Sequence, residues 1–338
     1  SQGGSFSCTD TPGASVPGVC LVAWLATGSR PSAAHSQCSW SLHMTTTALA
    51  PRRSSRRRRR EIAGWLFVSP WVIGFLIFTA GAMLFSLGLT LFDTDLLTET
   101  RFIGLKNFSK LFKDELFLKS LTVTAEYVIM AAPLQVAAAL AIALMLNQKK
   151  MALLGVWRTL YYMPSIVSGV AVSLLWMWIL NPDFGLLNYL LSLVGIQGPR
   201  WIYSEQWAIP SFVMIGVWSA GSNMLLYLAG LQGIPTPLYE AASMDGAGTW
   251  RRFWNITIPM LSPTIFFNLV MTLIGCFQVF TQSFIITAGG PNNATLTIVL
   301  FLYRKGFEQL HFGYASAVAW VLFVIIMDVE RLNIPFIN

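Results

Sequence analysis

Hydroxyls and carboxamides recur inside otherwise apolar stretches of this chain, and their spacing sorts them into stripes. Ser219, Asn223 and Tyr227 recur every four residues in one apolar segment and so share a helix face. Asn268, Gly275, Gln278 and Gln282 fall at steps of seven, three and four in the next segment, flanked by Phe277 and Phe280. Amides and hydroxyls beside aromatic faces suit a polyhydroxylated solute, and inside a helix bundle they are held away from lipid, where exposure would cost them. Asn223, Tyr227, Gln278 and Gln282 are therefore the candidate lining of a solute path. The same residue types also act as interhelical hydrogen-bonding glue, and the pattern alone leaves both readings open.

Catalytic chemistry finds no comparable support. His35, His43 and His311 are scattered outside the apolar segments, and no paired carboxylates, metal-ligand cluster or Ser/His/Asp arrangement occurs, so no catalytic or metal residue is assigned. Cys8, Cys20 and Cys38 sit near the N-terminus and Cys276 within an apolar segment; there is no CxxC, and His35 with Cys38 is too sparse for a zinc site. The chain lacks a GxxxxGK[ST] phosphate loop, so any ATP hydrolysis must come from a partner. Glu126 is the one carboxylate well inside an apolar segment. It could relay protons in an ion-coupled secondary transporter, or snorkel to water from within two turns of the segment's end. A secondary transporter of that kind predicts internal inverted repeats, which the sequence does not clearly display.

The elements that must position these residues are membrane helices. Of 338 residues 55% are hydrophobic and 11% charged, with mean hydropathy +0.60. Soluble domains are roughly 25% charged, which places this chain among all-α integral membrane proteins. Six apolar runs of spanning length or near it occupy about 62–87, 121–146, 158–180, 207–231, 264–288 and 313–327. The first tolerates Pro70, and the third ends in the aromatic belt Trp176-Met177-Trp178. The sixth holds about fifteen apolar residues before Asp328, Glu330 and Arg331, short for a bilayer, so a truncated or frame-shifted C-terminus after Met327 is expected.

Net charge is +7, which in a soluble chain would suggest nucleic acid. Here seven arginines fall within 52–60, directly before the first apolar run, where they act as a retention signal for the cytoplasmic side. No nucleic-acid partner is expected. Residues 1–61 read as a disordered tail with this basic block, with the natural start at Met44, because 1–43 are rich in Ser, Gly and Pro and lack a signal-peptide pattern. Residues 62–331 form the transmembrane domain. With the N-terminus cytoplasmic, Lys149, Lys150, Arg251 and Arg252 also lie inside. The segment 93–119 departs from the rule, because Arg101, Lys106, Lys110, Lys113 and Lys119 then lie outside.

The polar stretch 232–262 has an ordered pattern of its own. Thr236 followed by Pro237 reads as an N-cap with proline at the first helical position, where its missing N–H costs nothing. Glu240 sits near the positive end of the short helix, Ala241 and Ala242 give a smooth face, and Gly246 suits a left-handed C′ position. Asp245 is placed to cap the next helix. That second short helix, about 248–256, carries Trp250, Arg251, Arg252, Phe253 and Trp254 before Pro259 closes it. Arginine and aromatic side chains are common interface anchors, so the stretch reads as a rigid knob for another protein. An amphipathic helix lying in the headgroups would carry the same residue types.

This stretch closely resembles the EAA motif of binding-protein-dependent ABC importer permeases, in the branch that imports sugars and related solutes. Glu240, Ala241, Ala242, Asp245, Gly246 and Ala247 match its first half, and Phe253, Ile256, Pro259 and Pro263 its second. The resemblance covers about 62–327 and includes Gly104-Leu105-Lys106-Asn107-Phe108, Asn181-Pro182-Asp183-Phe184-Gly185-Leu186-Leu187-Asn188 and the Gly289-Gly290-Pro291 loop. It implies six transmembrane helices with a cytoplasmic coupling-helix loop, multi-pass in a bacterial or archaeal cell membrane. Glu240, Ala241, Ala242, Asp245, Gly246, Ala247, Arg251, Phe253 and Pro259 would then dock into a cleft on a separate ABC ATPase subunit. The chain itself would bind no cofactor, the ATP being used by that partner. A second permease subunit, forming a heterodimer, and an extracytoplasmic solute-binding protein complete the implied assembly. The branch takes sugars, sugar alcohols and glycerol phosphates; the candidate path has no cationic cluster and so favours a neutral sugar. A membrane-anchored scaffold is the remaining alternative, distinguished by the absence of solute-dependent ATP hydrolysis.

Overall fold

The structure, a computed structural model, describes residues 54–94, 100–148 and 153–333. The expectations for Met44, the three N-terminal cysteines, Lys149 and Lys150 lie outside these residues. The chain divides into two units, Ser1–Phe67 and Val68–Asn338. In the first, every described residue is helical from Ser54 on. Arginine is a good helix former, so the helix begins inside the basic block, and the expected disordered tail does not reach residue 61.

Among the described residues four helices are long and apolar enough to cross a membrane: Arg60–Leu89, Glu115–Leu146, Thr249–Phe277 and Phe312–Arg331. Two bent pairs, Leu154–Ile166 with Gly169–Ile179 and Glu205–Trp218 with Gly221–Gln232, bring the total to six if each pair is one span. The all-α, six-span expectation therefore stands, with corrections to individual spans. The third is broken at Val167 and Ser168 by a bend of 99°, and the fourth at Ser219 and Ala220 by 46°. The fifth stops at Phe277 instead of running to residue 288. The sixth is not short: its helix runs Phe312–Asn333, because the charged residues after Met327 continue the helical backbone while leaving the apolar count unchanged.

Helix Glu115–Leu146 is the centre of the bundle. It starts earlier than expected because Asp114 caps it, its Oδ1 accepting from the Leu116 N–H at 2.9 Å. Ala131, Ala132, Ala139 and Ala143 are fully or almost fully buried, and these small residues let the fourth- and fifth-span helices approach closely. Two apolar clusters result. One joins Phe117, Phe212, Ile215 and Phe301; the other joins Leu146, Met224, Tyr227 and Leu261. By contrast Leu66, Phe67, Phe78 and Leu84 of the first span are exposed.

The connections are folded too. Phe92–Asp93 pairs antiparallel with Arg101–Phe102, and Asn107 locks this hairpin to the end of the first span. Asn107 is 1% exposed, and its Nδ2 donates to the Thr90 carbonyl at 2.8 Å and the Phe92 carbonyl at 3.0 Å. Gly104 before it has φ +59°, a conformation that favours glycine. An Asn107→Leu substitution keeps the branched heavy-atom shape but strands two acceptors, so a loss of about 1–3 kcal/mol is expected. A fall in the thermal unfolding midpoint of the purified protein is the measurement.

Between the fifth and sixth spans the chain turns back into the bundle. Helix Ile298–Tyr303 is tied to the second span by the Ile298 N–H donating to Thr124 Oγ1 at 2.9 Å, and Thr297 Oγ1 donates to the Val279 carbonyl at 3.0 Å. Ser283 Oγ donates to the Thr295 carbonyl, and Thr295 Oγ1 to that of Gly290 at 2.8 Å, closing the loop that contains Gly289-Gly290-Pro291. Asn188 plays the same part between the third and fourth spans. Its Nδ2 donates to the Pro182 carbonyl at 3.1 Å and its Oδ1 accepts from Trp201 Nε1 at 2.6 Å.

Candidate functional site

Two arrangements stand out, an elbow after the fourth span and a cleft among the third, fourth and fifth. The elbow opens with helix Thr236–Met244. Pro235 occupies the N-cap position and Pro237 lies in the first turn, so Thr236 is one residue further in than expected, with no side-chain cap bond. The helix ends on a double hydrogen bond: the Ala247 N–H reaches the Ala242 carbonyl at 2.9 Å and the Gly246 N–H the Ser243 carbonyl at 3.1 Å. This is the Schellman stop, and it requires the left-handed backbone that Gly246 supplies at φ +75°. Asp245 does not cap the following helix; Gly248, in extended conformation, is its N-cap.

The second arm is not a short helix closed by Pro259. Thr249–Arg252 runs through a π-helical turn, Phe253–Thr257, into Ile258–Phe277, so the arm is the start of the fifth span. The π turn shifts the hydrogen-bond register just ahead of Pro259, which absorbs the missing N–H and the ring. Two side-chain bonds clamp the arms: Arg252 Nη1 donates to Ser243 Oγ at 2.9 Å, and Tyr239 and Thr257 share a hydroxyl bond at 3.0 Å. Trp250, Phe253 and Trp254 pack together with ring centroids 5.4–5.8 Å apart. The elbow is therefore continuous with the fifth span.

Its surface is available. Glu240, Ala241, Asp245, Gly246, Arg251 and Pro259 are exposed, while Ala242, Ala247 and Phe253 are half-buried. The side chains of Glu240, Asp245 and Arg251 make no hydrogen bond or ion pair with described residues. Beside them Met244 is 90% exposed and Trp250 72%. Uncommitted charges around exposed apolar anchors are the composition of an interface patch. Met244 and the clamp residues Tyr239, Ser243 and Thr257 were not singled out by sequence; the four-residue spacing that puts Tyr239 and Ser243 on one face of the first short helix was the available signal.

The cleft lies where three spans break at one level. Pro164, Ser165 and Val167 come from the break in the third, Ser219 and Ser222 from the fourth, and Gln278–Gln282 from the end of the fifth. It is an open cleft of roughly 390 Å³. Irregular backbone at membrane depth persists only when buried in protein or lining a water-filled cavity. Helix ends also leave backbone donors and acceptors without helical partners. Gln282 Oε1 is buried and has no hydrogen-bond partner.

The four candidate path residues separate. Gln278 and Gln282 line this cleft. Asn223 instead donates from Nδ2 to Thr272 Oγ1 at 3.0 Å, joining the fourth span to the fifth. Tyr227 is 0% exposed within the second apolar cluster, its hydroxyl unpartnered. Ser219 lies at the bend and not on one helix face with Asn223 and Tyr227, and Gln278 and Gln282 lie beyond the helix that holds Asn268. Ser165 and Ser222 were missed; Pro164 and Gly169 interrupting the third apolar run were the sequence sign. Glu126 is exposed on the helix surface.

Residues 135–331 match the model of the family described as binding-protein-dependent transport system inner membrane component. The chain is 44% identical over 282 residues to the probable ABC transporter permease protein YesP of Bacillus subtilis (strain 168), covering 82% of this chain and 91% of the relative. It is 35% identical over 296 residues to the lactose transport system permease protein LacF of Rhizobium radiobacter, covering 86% and 97%. A chain of the bacterial alginate ABC transporter, solved in complex with an alginate pentasaccharide-bound periplasmic protein, superposes with TM-score 0.72 at 25% identity over 83% of this chain and 96% of that one. None of these findings favours an ion-coupled transporter, and the family consists of transport subunits, not enzymes. The chain belongs to the binding-protein-dependent transport system inner membrane component family and is a multi-pass permease subunit of an ABC importer.

Proposed function

We propose that this subunit forms half of the import path for a neutral sugar or oligosaccharide. The carrying observation is the convergence of three helix breaks on a cleft bearing Gln278, Gln282, Ser219 and Ser222. Amide and hydroxyl groups at such breaks can exchange hydrogen bonds with solute hydroxyls without a fixed charge to hold the solute back. The names of a lactose permease and an alginate importer support a saccharide, and the first of them a neutral one. Asn223 and Tyr227 would act from behind the cleft, by fixing the fourth span against the fifth.

The N-terminus lies in the cytoplasm, held there by the arginine block, and the elbow is then cytoplasmic as well. Glu240, Ala241, Ala242, Asp245, Gly246, Ala247, Arg251, Phe253 and Pro259 form the coupling surface for an ABC ATPase subunit, which uses the ATP. Closure of an ATPase pair pulls the elbow, and the continuous helix Thr249–Phe277 carries the motion to Gln278 at the cleft. An exposed first span leaves apolar surface for a second, different permease subunit, and a solute-binding protein delivers the sugar from the opposite side.

The test is uptake of radiolabelled sugar by cells carrying the full transporter, with the sugar chosen as one bound by the cognate binding protein. A neutral hydrogen bond contributes about 1 kcal/mol, or roughly fivefold. The double substitution Gln278→Ala with Gln282→Ala is therefore expected to lower uptake by about 25-fold at unchanged membrane abundance. Tyr227→Phe, which removes an unpartnered hydroxyl, should leave uptake unchanged. Wild-type uptake by the glutamine variant would rule out the cleft as the path.

A further inference from the structure

The segment 93–119 carries five basic residues, Arg101 and four lysines, and the structure sets the lysine-bearing part, 106–119, beside an apolar groove. The groove, roughly 460 Å³, lies between the end of the first span, the connecting helix Lys106–Leu111, the second span and the last span. Leu87, Phe112, Leu118, Leu121, Trp320 and Val324 are among its lining residues, and every lining residue is apolar. Phe112, Leu118 and Val324 are exposed, so the groove is open along its length. A second apolar hollow of roughly 320 Å³, lined by Met83, Trp320 and Phe323 among others, shares Trp320 and extends the track down the seam between the first and last spans.

Lys106, Lys110, Lys113 and Lys119 are all exposed and make no ion pair with described residues. Of the nearby acids Asp114 is already engaged, by the Tyr314 hydroxyl at 2.9 Å and by Lys305 at 3.9 Å; Glu115 is exposed. Helix Lys106–Leu111 is two-sided: Phe108 borders the groove, and Lys106 and Lys110 fall about 160° around the axis from it. Lys113 directly follows Phe112, and Lys119 directly follows Leu118. A short helix with aromatics down and lysines up is the arrangement of an element lying in the membrane interface. Long lysine stems can carry their ammonium groups to phosphate level there.

We propose that this seam binds an anionic phospholipid of the adjoining leaflet, with an acyl chain in the groove and the phosphate held by the lysines of 106–119. A zwitterionic lipid would fill the groove equally well but would gain less from four unpaired ammonium groups, because its own cation offsets the phosphate charge. A sugar finds no polar partner on its walls. The inference is independent of which solute is carried and of which side is cytoplasmic.

The test uses the assembled transporter containing the full chain, purified in detergent and titrated with dioleoylphosphatidylglycerol or dioleoylphosphatidylcholine, with bound lipids counted by native mass spectrometry. The wild type is expected to retain one more phosphatidylglycerol, at higher affinity, than a Lys106→Gln, Lys110→Gln, Lys113→Gln variant. A basic residue near an anionic headgroup contributes about fivefold, so three together should weaken that site on the order of 100-fold. Phosphatidylcholine retention should not change. Val324→Trp, which fills the groove while leaving every lysine in place, should lose the same lipid. Equal retention of the two lipids by the wild type would overturn the proposal. So would unchanged phosphatidylglycerol binding in the lysine variant, or a groove already sealed by another subunit so that Val324→Trp has no effect.

Discussion

Gly246→Pro is expected to abolish solute uptake while the subunit still inserts and accumulates in the membrane. Gly246 has φ +75°, and its N–H donates to the Ser243 carbonyl. Proline fixes φ near −65° and has no N–H, so it can provide neither feature, at a local cost of about 3 kcal/mol. The damage falls on an exposed turn and not on the apolar spans that drive insertion. What fails is the stop that sets the angle between helix Thr236–Met244 and the arm that becomes the fifth span. Uptake should fall to that of cells lacking the permease, with immunoblots of membranes at wild-type level. Gly246→Ala separates shape from side-chain clash, because nothing lies within 4 Å of the added methyl. It incurs only the left-handed backbone penalty, about 1–2 kcal/mol, and partial uptake should survive. Glu240→Lys offers a check on the surface itself: the side chain is exposed and uncommitted, so the elbow keeps its shape and loss of uptake reports docking. Normal import by Gly246→Pro would mean that elbow geometry does not couple ATP use to transport.

The elbow was legible because its chemistry is local. Proline in a first turn, paired alanines and a glycine at the stop each act within a few residues; the alanines and the glycine appear where expected and the proline one position further into the helix. The end of the second arm was misread for a local reason as well: Pro259 stops an α-helix, but a π turn ahead of it changes which carbonyl needs a donor. The cleft was half legible. Gln278 and Gln282 were singled out by residue type, and they do meet, yet the helical stripe invoked to join them does not exist, because the helix ends at Phe277. A spacing argument presumes a continuous helix. At each of the breaks, Val167–Ser168 and Ser219–Ala220, a glycine opens the helix that follows, Gly169 and Gly221, but glycine is common in membrane helices and does not by itself announce a bend. Asn223 and Tyr227 show the converse: correct spacing on a real helix, but facing the fifth span and the apolar core instead of the cleft. Asn107 carries two tertiary bonds that span 15 and 17 residues, and nothing in its neighbourhood in sequence announces its carbonyl partners.

Gly221→Ala is expected to be strongly destabilising. Gly221 opens the helix just after the bend in the fourth span, and it is buried against the third. A Cβ there would lie 2.0 Å from the Tyr161 carbonyl oxygen, 2.9 Å from its carbon and 3.1 Å from Tyr162 Cα. All three are backbone atoms of helix Leu154–Ile166, so no rotamer change relieves the contact and the two spans must separate. Overpacking of this kind costs about 3 kcal/mol or more, enough to lower both the unfolding midpoint in detergent and the amount of subunit in the membrane. Gly275→Ala is the matched control. Nothing lies within 4 Å of its added methyl, and replacing a mid-helix glycine gains up to about 1 kcal/mol of helix propensity. Its midpoint should hold or rise. The Gly221 variant carries a functional consequence beyond stability, because the wedge sits between the segments that present Ser165 and Ser222 to the cleft. Uptake per folded subunit should therefore fall further than abundance does, and equal losses in the two would place the solute elsewhere in the bundle.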